Sequence, residues 1–286
     1  MKISRIKKLT VIFLITFTVL FAASFMAGRP DLRYRISEAL RPADNRVLPT
    51  KTEIKDLDKY TLEVLKTDKR INFCNNLLLI NEEYRLKEKY TPKLTAYKET
   101  KHKINEEIVG CFTDLVSAVK QNSGEELLIV SAYRSKAEQL QTIKQEGEKA
   151  AEVNASEHLT GLACDVCVRF YGGNAFLKSR AGRFVNSNCG NYGFIIRYPM
   201  LKRSITKIGY EPWHIRYVGL PHSKIIEKAR LSLEEYIKGF KIGEFYKHEN
   251  YIITRQKGEY FKLPKNFKSA EISCDNTGYY IITIEK

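Results

Sequence analysis

The sequence predicts an α+β fold in which a small mixed or antiparallel sheet is flanked by helices. Apolar residues recur at helical spacing over residues 106–121, and a continuous apolar stretch at 127–131, typical of a buried strand, follows closely. Near the end of the chain, three stretches rich in β-branched and aromatic residues alternate with Gly, Pro and Asn, which indicates successive strands. The 286 residues are 43% hydrophobic and 28% charged, which is ordinary globular composition and excludes a disordered chain.

The N-terminus resembles a membrane anchor. Residues 11–28 form an uncharged apolar run, and the segment before it carries four basic residues: Lys2, Arg5, Lys7 and Lys8. Such a run, about 27 Å long as a helix, just spans a hydrocarbon core, and the basic flank favours the cytoplasmic side. We therefore expect residues 1–28 to be a single-pass transmembrane segment with the rest of the chain outside the cell. A signal peptide cleaved near Ala22-Ala23-Ser24 is the alternative.

The remaining chain divides into three parts by composition. Residues 29–70 are polar and charged, with three prolines, and are expected to form a membrane-proximal stalk. Residues 71–240 contain the periodic helices and the polar motifs, and a capping box of Ser232 and Glu235 opens the helix that ends this main domain. Residues 241–286 are expected to form a small β-rich C-terminal appendix.

Two segments carry the chemistry, SEHLTGLACD at residues 156–165 and EPWH at residues 211–214. They offer three metal ligands and a further carboxylate: His158, Asp165, His214 and Glu211. Zinc with three protein ligands keeps one position open for water and acidifies it toward neutral pH, and a nearby Glu outside the ligand set can take the proton. Each histidine alone fits an ordinary polar residue at a strand edge, but the joint pattern indicates a hydrolytic zinc centre.

The spacing of these residues is physically reasonable. Gly161 lets the turn that carries His158 fold back, so that Asp165 is presented from a short buried strand at residues 162–168. Because Pro212 cannot donate a hydrogen bond to a sheet, Glu211 is expected in the approach to the next strand, where it can lean over the metal without binding it.

Arg134 is predicted at a corner between a strand and a helix. The strand at residues 127–131 ends just before it, and Ser135 with Glu138 forms a capping box that opens the next helix. At such a corner the guanidinium can meet a carboxylate with bidentate geometry. The alternative is a surface arginine in a solvated turn.

Taken together, the motifs SxHxxGxAxD and ExWH resemble the VanY-type D-alanyl-D-alanine carboxypeptidases, zinc enzymes that trim peptidoglycan stem peptides. The resemblance spans about residues 71–240. Three further stretches agree in order: LIN at 79–81 with YTP at 90–92, SAYRS at 131–135 with Gln139, and YGFIIRYP at 192–199. The sequence departs from the family at Ala132 and at Cys164, and neither is a proposed ligand.

The resemblance implies a DD-peptidase (Hedgehog-like) zinc domain. It implies that Zn²⁺ is bound by three residues: His158, Asp165 and His214. It implies that Glu211 is the general base. It places four residues at the substrate, holding its terminal carboxylate or polarising the scissile carbonyl: Arg134, Gln139, Ser156 and Tyr198. Arg134 is also counted as catalytic, because its charge can stabilise the tetrahedral oxyanion.

Two other functions stay open. An L,D-carboxypeptidase acting on tetrapeptide stems would share the metal site and differ only in its pocket walls. A non-catalytic cell-wall-binding protein would retain a vestigial site, although binding alone does not need the base Glu211. The net charge of +15 suits anionic cell-wall polymers and lipid headgroups as well as nucleic acid, and the export segment together with the lack of a recognition motif disfavours nucleic acid. No obligate protein partner is evident.

The six cysteines do not define a disulfide pattern. Cys164 and Cys167 have CxxC spacing, but they lie in a predicted strand, which disfavours a thioredoxin-type redox role.

Overall fold

The computed structural model describes residues 24–147 and 151–286, in which helices and strands mix along the chain. The helices are α1 (Pro30–Leu40), α2 (Leu62–Thr67), α3 (Val109–Ser123), α4 (Lys136–Glu146), α5 (Arg180–Asn188), α6 (Arg203–Thr206), α7 (His222–Ala229) and α8 (Leu233–Lys238). The strands are β1 (Thr50–Thr52), β2 (Leu57–Thr61), β3 (Ile71–Cys74), β4 (Leu94–Ala96), β5 (Lys103–Asn105), β6 (Leu128–Ser131), β7 (Ala163–Cys167), β8 (Phe194–Ile196), β9 (His214–Tyr217), β10 (Phe245–His248), β11 (Tyr251–Gln256), β12 (Tyr260–Pro264), β13 (Ser269–Cys274) and β14 (Tyr280–Glu285). The predicted α+β class is confirmed.

A four-stranded antiparallel sheet in the order β6-β7-β9-β8 forms the middle of the molecule. Its residues Val166 and Ile215 are fully buried in a core shared with Phe112 of α3 and Val185 of α5. Because side chains alternate across a strand, the residues beside them in β7 and β9 point to the opposite face. Asp165 of β7 and His214 of β9 lie on that opposite face.

The predicted helix starts are confirmed. Ser135 and Glu138 form a reciprocal capping box at the start of α4, and Ser232 with Glu235 does the same for α8. Each box satisfies two backbone N–H groups that the first turn of a helix leaves without partners. The box at Ser135 starts α4 directly after the short loop from β6. It therefore fixes the backbone position of Arg134.

The division into a stalk, a main domain and an appendix is wrong in its boundaries. A six-stranded sheet in the order β1-β10-β11-β14-β13-β3 joins strands from all three parts, and β2 pairs with β12. We call this unit the β lobe. The C-terminal strands would otherwise expose unpaired edges, which the earlier strands cover. Pairing between residues about 200 positions apart leaves no local signal in the sequence, so residues 50–61 resembled a polar linker.

Helix α1, also assigned to the stalk, packs outside the β lobe, on the part of the molecule built around the four-stranded sheet. The Tyr34 hydroxyl accepts a hydrogen bond from Ser187 at 3.2 Å, and the Arg35 guanidinium lies 5.3 Å from the ring centre of Tyr210. Residues 29–40 are therefore a docked helix instead of a free spacer.

Among residues 24–147 and 151–286, no helix has both the length and the apolarity that crossing a bilayer requires. Most of the predicted transmembrane segment, residues 11–23, lies outside the described part of the chain.

Candidate metal centre

Three predicted ligands meet on the open face of the four-stranded sheet. One donor atom from each of His158, Asp165 and His214 lies within 4.8 Å of the other two. Asp165 of β7 and His214 of β9 are cross-strand partners in the sheet register, so their side chains leave the sheet side by side. His158 comes from the short 3-10 turn Glu157–Thr160, just before β7.

Gly161 brings the His158 turn back onto the sheet, as the sequence predicts. Its φ of +67° lies in the left-handed region, and a Cβ atom there would stand 2.8 Å from the backbone nitrogen of Asn105. That nitrogen donates a hydrogen bond to the Gly161 carbonyl at 2.9 Å. Any side chain at position 161 would push β5 away from the turn, so glycine is required for both conformation and space.

The oxygen atoms around each imidazole indicate which nitrogen it presents. Nδ1 of His158 lies 2.6 Å from the carbonyl oxygen of Ala132, which can only accept, so Nδ1 carries the proton and Nε2 faces Asp165. In His214 the arrangement is reversed. Its Nδ1 lies 2.8 Å from Asp165 Oδ1, while its Nε2 faces Glu157 Oε2 at 3.9 Å. Each imidazole thus turns one nitrogen toward the common centre and the other toward an oxygen acceptor, the arrangement usual for metal-binding histidines.

The electrostatics fit a cation. Burial lowers the pKa of His158, which favours the neutral imidazole that a metal ligand requires. Burial alone would raise the pKa of Asp165, but the neighbouring His158 and His214 hold it well below its usual range. For His214 burial opposes the charged form, yet the carboxylates of Asp165 and Glu157 raise its pKa to about 9. His214 must therefore release a proton when a metal binds. Two nitrogens and one carboxylate are a donor set that suits zinc.

Arg134 lies at the edge of the three donors. Its Nη2 is 3.0 Å from both Asp165 Oδ2 and His158 Nε2. Its Nε donates to Ser131 Oγ at 2.8 Å, and its Nη1 donates to Gln139 Oε1 at 3.1 Å. The other end of the Gln139 amide donates to the Ala151 carbonyl at 2.8 Å. Gln139, predicted to hold substrate, thus holds the Arg134 side chain in place.

All the predicted site residues line one cavity of about 340 Å³. Glu211 is partly exposed there, with Oε2 4.0 Å from His214 Nδ1. Tyr198 stacks obliquely near His214 with 5.0 Å between ring centres, and Ser156 lies on the cavity wall with only 3% of its surface exposed. The sequence motifs therefore converge on one site, although they span about 80 residues.

Sequence reasoning missed a buried ionic cluster beneath this site. Its members are Glu157, Arg197, Arg216 and Glu234. A signal was present, because Arg197 and Arg216 each follow or interrupt an apolar strand, and charged residues are almost never fully buried unless paired.

Comparisons with known proteins agree with this geometry. Residues 101–220 match the family model described as VanY, D-alanyl-D-alanine carboxypeptidase. A D-alanyl-D-alanine carboxypeptidase from Enterococcus faecium is 33% identical over 250 residues, which cover 78% of this chain and 79% of the relative.

Two solved structures are also similar to this chain. The D,D-dipeptidase VanXYg, in complex with a D-Ala-D-Ala phosphinate analog, is similar with a TM-score of 0.64 at 27% identity, covering 82% of this chain and 100% of that chain. A variant of the D,D-pentapeptidase VanY from a VanB-type resistance cassette, in complex with Zn(II), has a TM-score of 0.51 at 28% identity and covers 57% of this chain and 98% of that chain.

The fold and the three-donor site define a zinc metallopeptidase. The identity to the Enterococcus faecium enzyme and its coverage place the chain more narrowly. It belongs to the VanY family of D-alanyl-D-alanine carboxypeptidases.

Proposed function

We propose that this protein removes the C-terminal D-alanine from peptidoglycan stem peptides. The observation that carries the proposal is the convergence of three side chains that could hold zinc, a separate carboxylate and a fixed guanidinium in one cavity. A cleft that offers a metal, a proton acceptor and a carboxylate-binding group has the parts an exopeptidase needs.

In this proposal the metal is zinc, held by His158 Nε2, an Asp165 carboxylate oxygen and His214 Nδ1. When bound, zinc supplies the positive charge that polarises a carbonyl and acidifies water. The three side chains come from a rigid sheet and a turn locked to it, so the site is organised before substrate arrives.

Glu211 is proposed to take the proton from the attacking water and to deliver it to the leaving amine of D-alanine. Its carboxylate lies beside the ligands, at 4.0 Å from His214 Nδ1, and is partly exposed to the cavity. That position suits a group that reaches both water and substrate without being required to bind the metal.

Arg134 is proposed to bind the terminal carboxylate of the substrate and to stabilise the developing oxyanion. Ser131 and Gln139 hold its guanidinium from two sides, which supports a fixed orientation. Ser156 and Tyr198 form the adjacent walls, and Gln139 acts on the substrate through Arg134.

Digestion of purified stems tests the activity. We expect the pentapeptide to lose one D-alanine, giving tetrapeptide by mass spectrometry, while a stem amidated at its C-terminus is cleaved poorly. Cleavage of the tetrapeptide but not of the pentapeptide would instead identify an L,D-carboxypeptidase. Absence of any product from zinc-loaded protein would favour the cell-wall-binding alternative.

We also propose that residues 1–28 anchor the chain as a single membrane pass with the catalytic half outside the cell. The apolar run at residues 11–28 and the basic residues before it support this topology. The full-length protein should then stay with membranes at high salt, because a purely electrostatic attachment would be screened. Release of a shortened protein into the culture fluid, with a new N-terminus near Phe25, would show a cleaved signal instead.

A further inference from the structure

A buried ionic cluster lies directly beneath the metal site. The side chains of Glu157, Arg197 and Arg216 have no exposed surface, and Glu234 is only 5% exposed. Arg197 Nε and Arg216 Nη1 both donate to Glu157 Oε1, at 2.7 and 2.8 Å. Arg197 also holds Glu234 with two hydrogen bonds, at 2.7 and 3.0 Å. Two cations and two anions balance, which is the condition for burying charges at tolerable cost.

The two arginines use only one oxygen of Glu157. The other oxygen, Oε2, faces His214 Nε2 at 3.9 Å. Within the described part of the chain, both atoms are buried and neither has a hydrogen-bond partner. Buried polar groups without partners are rare in native proteins and require an explanation.

The metal site explains the pair. His214 Nδ1 lies 2.8 Å from Asp165 Oδ1, and a cation bound by both atoms has to separate them. The ring has to shift when a cation separates these two atoms, and Nε2 needs to move by only about 1 Å to come within hydrogen-bond distance of Glu157 Oε2. At that distance Nε2–H can donate a hydrogen bond to the carboxylate.

We infer that Glu157 is a positioning residue for His214. Its carboxylate accepts a hydrogen bond from Nε2–H, so that Nδ1 is the nitrogen offered to zinc. Arg197 and Arg216 hold Glu157 in place through Oε1, which leaves Oε2 facing His214. Glu157 therefore orients His214, which is distant in the sequence. His158, the sequence neighbour of Glu157, is oriented instead by the Ala132 carbonyl. This inference rests on the proposed zinc site.

Zinc affinity of the whole protein, measured by competition with a chelator, tests the inference. In Glu157→Gln the two arginines, which only donate, keep the amide oxygen, so the amide NH₂ group faces His214 Nε2–H. We expect the affinity for zinc to fall about 10- to 100-fold. The matched control is Glu234→Gln, which removes a charge from the same Arg197 but does not face His214, and its zinc affinity should stay within about threefold of wild type by the same principle.

Equal zinc affinity in wild type and Glu157→Gln would overturn the inference. So would equal weakening in both glutamine variants, because the cluster would then support only the fold. If wild type itself binds no zinc, the proposed function fails instead.

A measurement on wild type keeps the test decisive if Glu157→Gln does not fold. In zinc-loaded protein with ¹⁵N-labelled histidine, NMR should show that Nε2 of His214 carries a slowly exchanging proton. A deprotonated Nε2 would contradict the inference.

Discussion

Glu211 is held in position although it lies in a turn, outside the helices and strands. Its backbone N–H donates to the Tyr198 carbonyl at 3.1 Å, and its own carbonyl accepts from the His214 N–H at 3.1 Å. The tight turn between Glu211 and His214 therefore fixes the backbone of Glu211 relative to His214. This turn explains the three-residue spacing between Glu211 and His214 in the sequence.

Replacement of this carboxylate separates a base from a ligand. Glu211→Gln should retain about one zinc per chain while kcat falls about 10²- to 10⁴-fold, because the amide cannot accept the proton. Zinc is measured by atomic emission and turnover by release of D-alanine. The exposed Glu99→Gln is the control and should behave as wild type. Loss of zinc in parallel with activity would make Glu211 a ligand.

Arg134 is a second residue whose shape matters as much as its charge. Arg134→Lys keeps the positive charge but loses the planar fork and the simultaneous contacts with Ser131 and Gln139. We expect kcat/KM for the free-acid stem to fall about 10- to 100-fold, and the preference over the amidated stem to shrink. Arg169→Lys, at an exposed site, is the control. An unchanged preference would remove Arg134 from carboxylate recognition.

At the scale of elements, His222 connects helix α7 to the β lobe. Its Nδ1 lies 2.7 Å from the Tyr236 hydroxyl of α8, and its Nε2 lies 2.9 Å from Thr283 Oγ1 of β14. Burial, with a smaller contribution from the charge of His248, lowers the pKa of His222 to about 3. The imidazole is therefore neutral in the folded protein over the whole physiological range.

This buried histidine makes stability depend on pH. Its pKa is about 6.5 in the unfolded chain and lower in the folded protein, so the unfolded chain takes up a proton first as pH falls. The stabilisation is complete above pH 6.5 and is lost progressively toward pH 3. Between pH 6.5 and 5 the loss from this residue should be about 2 kcal/mol.

Urea unfolding of wild type and His222→Gln at both pH values checks the expectation. The variant should lose less stability on acidification than wild type, whereas His248→Gln, as the control, should keep most of the dependence. Equal slopes for wild type and His222→Gln would assign the pH dependence to other groups.

At the scale of the whole molecule, the C-terminal strands share a core with residues from the middle of the chain. Ile253 of β11 and Ile281 of β14 pack with Leu77, Ile195 and Val218 in one core. The β lobe therefore covers apolar surface of the part of the molecule built around the four-stranded sheet, and the two parts belong to one folding unit.

Truncation tests this dependence. A chain limited to residues 71–240 loses the strands that cover Leu77 and Val218, so its melting temperature should fall by at least about 10 °C relative to the full chain. A chain that begins at residue 29 is the control and should melt close to the full length. Equal melting of the 71–240 fragment and the full chain would show two independent domains.

The sequence alone predicted the residues of the candidate site. Only a few residue types bind zinc or accept a proton from the water that zinc holds, which is why the sequence predicts His158, Asp165, His214 and Glu211. The backbone requirements of Gly161 and Pro212 also fix the nearby geometry. The capping boxes at Ser135 and Ser232 were equally local, and the structure confirms both.

Only the tertiary structure decided the rest. It showed that Glu157 faces His214 and not its sequence neighbour His158. It also showed that strands near residues 50–74 pair with strands near 245–285. Both facts depend on contacts between distant parts of the chain, and hydrophobic periodicity and short motifs do not encode them. Burial of Arg197 and Arg216 likewise depends on partners that only the folded chain brings within hydrogen-bond distance.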